Sequence, residues 1–425
     1  MSAALDALRI SLRHVDSAAR LSFTASTVTA LVRCARLPPP LGLALEHSYP
    51  ALPALKCLVN IFFHGQEKLL LESAAVEAVV AVLRGAGRCQ THAVAAHLAF
   101  HLAGSSHEAF SLFVSAAGGT VSSVLNLIVP LLAWSVRSEI GSDVTESSKA
   151  RVDLSSALLK LLPVIRSREP ALGRAMGEGG SLSSASASSM EQLAVLFAEI
   201  LLNARSDAAV PPLPDLRPLV VRAMAFAATP EEGGGNEVHL LAENLEERGA
   251  LAVLVQLLQK ALGVSSVCGS ADSKANVVPL LMVLTKLASS STKARASLKS
   301  LVFPSTTDLS CMSRIEEVIS VLPGSQAAAG DKNLDARAVR DRQESLMRPA
   351  DAPPGSLRAA VIALILSIDS HLKRCSSEFL LELCAQNMAE FTSRVGYGNA
   401  VYMMHVRGGI KLSELKLRRR SNVNF

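Results

Sequence analysis

Apolar residues recur along this chain at helical spacing, and alternating strand patterns are hard to find. In "ALPALKCLVNIFFHGQEKLLLESAAVEAVVAVLRGAG" (51–87), Leu55, Leu58, Val59 and Phe62 fall at i, i+3, i+4 and i+7, one stripe of a helix. Gly65 punctuates it, and a second apolar helix runs through Val76, Val79, Val80 and Leu83 to Gly85 and Gly87. The order recurs in 92–129 as apolar helix, break at Gly104, second helix, Gly-Gly break and third helix. Gly65 and Gly104 lie 39 residues apart, near the period of about 40–47 residues of armadillo and HEAT units. Further apolar helices are predicted around 154–165, 190–203, 216–227, 238–262, 276–288, 312–322, 357–367 and 371–388. Each stripe needs neighbours to bury it, so the pattern predicts an all-α, armadillo/HEAT-like α-solenoid superhelix. Residues 1–406 form a single superhelical domain on this reading. "GEGGSLSSASASS" (177–189) and 323–356 are exposed insertions, and "VPPLPD" (210–215) and "TPEEGGGNE" (229–237) are helix-free breaks. A basic tail occupies 407–425.

Composition agrees with helices packed through small residues. Hydrophobic residues make up 49% and aromatics only 4%, too few for a sandwich or barrel rich in Tyr and Thr. The net charge of +5 is local. The tail holds six basic residues and one acid, and removing them from 42 Lys+Arg and 37 Asp+Glu leaves 36 of each. The body therefore offers no field to draw nucleic acid, and "KLRRR" reads first as a solvated tail. The seven cysteines are scattered without a C-x-x-C, which suits small core side chains in a reducing compartment rather than disulfides or zinc. The runs 125–136 and 359–368 fall short of the roughly 20 residues a bilayer needs. Near the N-terminus, Asp6 and Asp16 interrupt an Arg- and Ser-containing segment that otherwise has transit-peptide character. Leu5, Leu8 and Leu12 there suit an ordinary amphipathic helix. A cytoplasmic protein is expected.

Candidate chemistry is sparse. His97 and His101 in "HLAFH" share one helical face, a spacing that can grip zinc, but the Glu of H-E-x-x-H and a third ligand are missing. A polar strip on a repeat surface explains them better than a metal. There is no G-x-x-x-x-G-K-[ST], no G-x-S-x-G and no paired acid and base, so a non-enzymatic protein with no cofactor or metal is expected. Lys56, Asn60 and His64 recur at i, i+4 and i+8 on a line away from the apolar stripe. In an armadillo unit such a line faces the concave groove, where an Asn can hydrogen-bond a guest backbone. The wet face of an ordinary helix accounts for it equally well.

Two C-terminal stretches carry a resemblance. "SIDSHLKRCSSEFLLELCAQNMAEFTSRVGYGNAVYMMHVRGGI" (367–410) closely resembles the synembryn family, guanine-nucleotide exchange factors and folding chaperones of heterotrimeric G protein α subunits. Asp369, Lys373–Arg374, Glu378–Phe379–Leu380, Leu383–Cys384, Phe391 and Gly396–Tyr397–Gly398–Asn399–Ala400 are collinear with it. "VVPLLMVLTKLASSSTKARASLKSLVFP" (277–304) is similar to the family's preceding unit, and weaker similarity reaches back to about residue 50. The resemblance implies a superhelix whose groove takes the Gα C-terminal helix while late repeats engage the GTPase domain, releasing GDP and assisting Gα folding. It points to Lys56, Asn60, His97, Lys160 and Arg374 as partner-binding residues of a monomer that meets the membrane only through Gα. A plain armadillo adaptor that binds a peptide without exchange is the rival. Three features depart from the family pattern. Pro163 stands where Asn is usual and threatens a kink, His97 stands where Arg is usual, and a basic end replaces an acidic phosphorylatable stretch. Within "RVGYGNA" the glycines are expected to end one helix, Asn399 to cap the next, and Tyr397 to pack between them.

Overall fold

The computed structural model describes residues 2–13, 23–36, 50–85, 88–137, 144–176, 184–202, 215–227, 235–263, 275–303, 356–396, 399–401 and 403. Among them there is no strand, and the all-α class is observed. The expected helix at 312–322, most of the Gly- and Pro-rich breaks, nearly all of the 323–356 insertion, Cys268, Cys311, Tyr397, Gly398 and the 407–425 tail lie outside them. The chain divides into two compact units, Met1–Leu241 and Ala242–Phe425.

The first unit holds α1 (Ser2–Ser11), α2 (Ala25–Ala35), α3 (Ala51–Phe63), α4 (Glu67–Glu72), α5 (Ala75–Arg84), α6 (Cys89–Ser105), α7 (His107–Ala116), α8 (Val121–Arg137), α9 (Val144–Met176), α10 (Ser184–Leu202) and α11 (Arg217–Ala227). They make two layers. In one, α1, α3, α6, α9 and α11 pack side by side in that order. In the other, α2, α5, α8 and α10 do so, and α7 fills the corner between α5 and α6. The core between the layers is Leu, Val and Ala with a few rings: Leu55, Leu58, Val79, Leu98, Phe110, Phe113, Leu158 and Phe197 are all sealed from solvent. Alanines at 95, 96, 99 and 103 let α6 approach its neighbours closely, which explains the low aromatic content.

The breaks are chemically specific. Gly65 turns the chain after α3 at φ +75, and Gly118 and Gly119 turn it between α7 and α8 at φ +121 and +84. Gly104, expected to be a break, is inside α6. The turn falls at Ser106, whose hydroxyl accepts from the Ala109 amide and caps α7. Gly104 instead allows close approach: a β-carbon there would sit 4.0 Å from Val164 Cγ2 of α9, and Arg168 donates to its carbonyl at 2.7 Å. The helix expected at 154–165 is 144–176, because its polar ends extend the turn pattern beyond the apolar stripe, and it runs through Pro163 as one helix. Among the described residues no single helix is long and apolar enough to cross a membrane, and the apolar pair α7–α8 bends by 73°.

The second unit takes in the end of α12 (Gly235–Glu247), α13 (Ala250–Ala261), α14 (Val277–Ser290), α15 (Thr292–Val302), α16 (Leu357–Ile365), α17 (Ser370–Leu383) and α18 (Met388–Val395). The single helix expected at 238–262 is broken by Gly249 at φ +74. The one expected at 371–388 stops at Leu383. There Ala385 and Gln386 turn left-handed, and Asn387 caps α18 by accepting from the Ala389 and Glu390 amides. Asn-x-x-Glu ahead of an apolar run was the sequence signal for that cap. Gly396 closes α18 at φ +86, and the Asn399 side-chain Nδ2 donates back to the Val395 carbonyl at 2.7 Å. Cys57, Cys375 and Cys384 are buried free thiols, and burial pushes Cys57 up to about 12.

Candidate functional site: the imidazole and aromatic face of the first unit

Three neighbouring helices of one layer, α3, α6 and α9, bring polar and aromatic groups of distant sequence onto one face. From α6, His97 and His101 stand one turn apart, with their Nε2 atoms 3.0 Å from each other. A hydrogen bond between two imidazole nitrogens needs one N–H and one lone pair, so at least one ring of the pair is neutral. From α3, Phe62 and Phe63 place their ring centres 5.5 and 4.8 Å from His101, and Phe100 adds a third ring at 4.9 Å. Phe63 is 61% exposed although its neighbours Leu58 and Ile61 are sealed. From α9 comes Lys160, exposed, whose charge acts on both imidazoles. Burial first, then Lys160, holds His97 below the usual imidazole value. For His101 the causes are burial, His97 and Lys160 in that order.

The residues predicted to bind a partner are thus divided. His97 and Lys160 are together on this face. Asn60 is not free to meet a guest: its Nδ2 donates to the Arg9 carbonyl of α1 at 3.1 Å. His64 likewise meets the Leu12 carbonyl at 2.6 Å, and the Cys57 thiol donates to Leu5 at 3.4 Å. The line read as groove-lining is the seat of the chain's own N-terminal helix, because Leu5 and Leu12 need burial and α3 is the nearest apolar surface. Lys56 is half-buried beside α1. Burial, Arg9 and Arg13 hold its ammonium below the usual value against the pull of Asp6. Arg374 belongs to the second unit, where it is exposed and pairs loosely with Glu378 at 3.6 Å.

Two groups escaped the sequence reading. Phe63 was passed over because it sits beside the stripe rather than in it, and an aromatic out of register in an apolar helix was the available signal. In the second unit, Glu382 is buried on α17 and receives Arg295 Nη2 of α15 at 2.9 Å and the Gln386 amide. Arg295 also donates to the Ala288 carbonyl at 3.0 Å, and Lys299 pairs with Glu390 at 2.7 Å. A lone acid within "FLLELC" signals such a partner. Elsewhere in the same unit, Phe303 lies under the guanidiniums of Arg358 and Arg394 at 5.7 and 5.3 Å.

Among the described residues no group of three or more His, Cys, Asp or Glu converges as metal ligands do. What the first unit presents is a stacked-helix surface with an exposed ring, an imidazole pair and a cation. Its family follows from comparison with known proteins. The profile of the family described as guanine nucleotide exchange factor synembryn matches residues 4–322 and 340–408, and the chain belongs to that family. It is 34% identical over 77 residues to a protein of Gallus gallus named Chaperone Ric-8A, covering 18% of this chain and 14% of that one. The protein of that name in Xenopus laevis is 38% identical over 53 residues, 12% of this chain and 10% of its own length. The one in Macaca fascicularis is 26% identical over 135 residues, 32% of this chain and 18% of its own. The chain thus matches less than a fifth of the length of these curated relatives.

Proposed function

We propose that this protein binds heterotrimeric G protein α subunits, promotes GDP release from them and assists their folding. The family match across most of the chain carries the reading, and the surface chemistry supports it. The exposed Phe63, the His97–His101 pair and Lys160 form an apolar anchor beside positive charge, suited to an amphipathic helix such as the Gα C-terminal helix. Arg374 and its neighbours on α17 are a second contact, for the GTPase domain. Exchange by this route is linkage: a partner that binds the nucleotide-free conformation more tightly raises its population, and no nucleophile is required. On this reading the helical units are armadillo/HEAT repeats of one superhelix, and a cytoplasmic monomer reaches the membrane through Gα.

The test is release of labelled GDP from purified Gα with and without this protein. Acceleration supports exchange. Binding with unchanged release leaves an adaptor or a chaperone, and Gα synthesised in the protein's presence, scored for trypsin-resistant product, separates those two.

A further inference from the structure

The imidazole pair has a property that a permanent cation lacks. The Nε2–Nε2 bond at 3.0 Å survives when the pair carries no charge or one, since either state leaves a donor facing a lone pair. The second proton destroys it, because two imidazoliums then turn N–H against N–H. The pair therefore takes up protons in two coupled steps. The surroundings set where these steps fall. The charges that bear on the pair are its own and that of Lys160 on α9. From α3 come the Phe62 and Phe63 rings, and Glu67 of α4, which accepts from the Ser105 hydroxyl at 2.8 Å, is not among the charges that act on either imidazole. Arg168 of α9 is turned to the Gly104 carbonyl. Among the described residues no carboxylate acts on either imidazole, so burial and Lys160 favour the uncharged pair, and on acidification it becomes positive on a face already carrying Lys160 and an exposed ring.

We propose that His97 and His101 form a proton-gated cation on the partner-binding face, so that this protein grips a carboxylate-bearing helix more tightly as pH falls below neutrality. The proposal rests on the Gα-binding reading for its partner, and on the bond geometry for its mechanism. A carboxylate placed beside the pair supplies the anion that the protein itself withholds. Binding then draws a proton onto the imidazoles, and by reciprocity protons strengthen binding. Glutamine at both positions keeps the shape and a polar tip but removes the titration.

The experiment has two arms. In the first, affinity for purified Gα is measured at about pH 7.5 and about pH 6.0 for the wild-type protein and for His97→Gln/His101→Gln, so that titration of Gα itself cancels in the comparison. The wild type is expected to gain about fivefold more affinity on acidification than the variant, a modest coupling. Equal pH dependence in the two proteins overturns the proposal. In the second arm, imidazole carbon shifts of the free protein are followed by NMR through the same range. Two coupled steps displaced below the ordinary His value support the pair, and two independent titrations at the ordinary value overturn it. If neither protein binds Gα at any pH, the partner reading fails, and the NMR arm alone decides the gate.

Discussion

Replacing Arg295 with Ala tests the packing of the second unit at its most demanding point. Glu382 is 7% exposed at its side chain, on a helix whose neighbours Phe379, Leu380, Leu381 and Leu383 are sealed from solvent. Its carboxylate is compensated by Arg295 at 2.9 Å and by the Gln386 amide. Arg295→Ala leaves that charge buried with one neutral donor. It also removes the donor to the Ala288 carbonyl in the last turn of α14. Removing one partner of a buried pair costs about 3–5 kcal/mol. Arg295 keeps 21% of its side chain in water, which lets solvent reach the site and lowers the expected loss to about 2–3 kcal/mol. For a unit of this size that is a fall in Tm of about 5–10 °C. The assay is urea unfolding followed by far-ultraviolet circular dichroism, with Arg295→Met/Glu382→Leu as companion. Replacing both charges by apolar groups removes the desolvation cost as well as the attraction, so the companion is expected within about 1 kcal/mol of wild type. A loss below about 0.5 kcal/mol for Arg295→Ala, or a companion worse than the single variant, refutes the reasoning.

Gly104→Ala places its methyl in ordinary contact with Val164 and removes a glycine from a helix, so it is expected to raise stability by up to about 1 kcal/mol. Gly104→Leu is expected to lower it, and thermal unfolding reads both. Asn387→Ala deletes two amide caps of α18 and is expected to cost about 1 kcal/mol in the same assay. Gly396→Ala forces a side chain onto φ +86, ψ 148, at a cost of about 1–3 kcal/mol. His92, His97 and His101 are all held below the ordinary imidazole value, chiefly by burial. The unfolded chain therefore binds protons more readily at these groups, so their contribution to stability is present above the ordinary imidazole value and is lost as pH falls below it. Urea midpoints at about pH 7.5 and pH 5.5 check the sign, and a midpoint that rises on acidification contradicts it.

The all-α class and the presence of most of the described helices were legible in the sequence because they depend on local periodicity. A stripe such as Leu55–Leu58–Phe62 declares a helix without reference to the rest of the chain. Breaks were legible at Gly65 and Gly118–Gly119, where the backbone itself demanded glycine, but not at Gly249, where apolar spacing continues on both sides, and Gly104 was misread because there glycine serves packing. The match at 277–304 and 367–410 marked two blocks as related to a family. Only the folded unit shows Arg295 meeting Glu382, 87 positions along the chain.

The candidate site divides the same way. The spacing of His97 and His101 placed both on one helical face, and the sequence by itself determined that much. Whether Lys160 would stand beside them, or Phe63 present its ring to His101, depended on the order in which α3, α6 and α9 pack, which no periodicity encodes. Asn60 shows the converse. Its residue type and position suit a groove, but Leu5 of α1 and Leu12 just after it had to be buried somewhere, and tertiary structure spent Asn60 on the Arg9 carbonyl. Hydrophobic spacing fixes which face of a helix turns inward. Only packing decides which neighbour that helix meets, and therefore which polar groups remain for a partner.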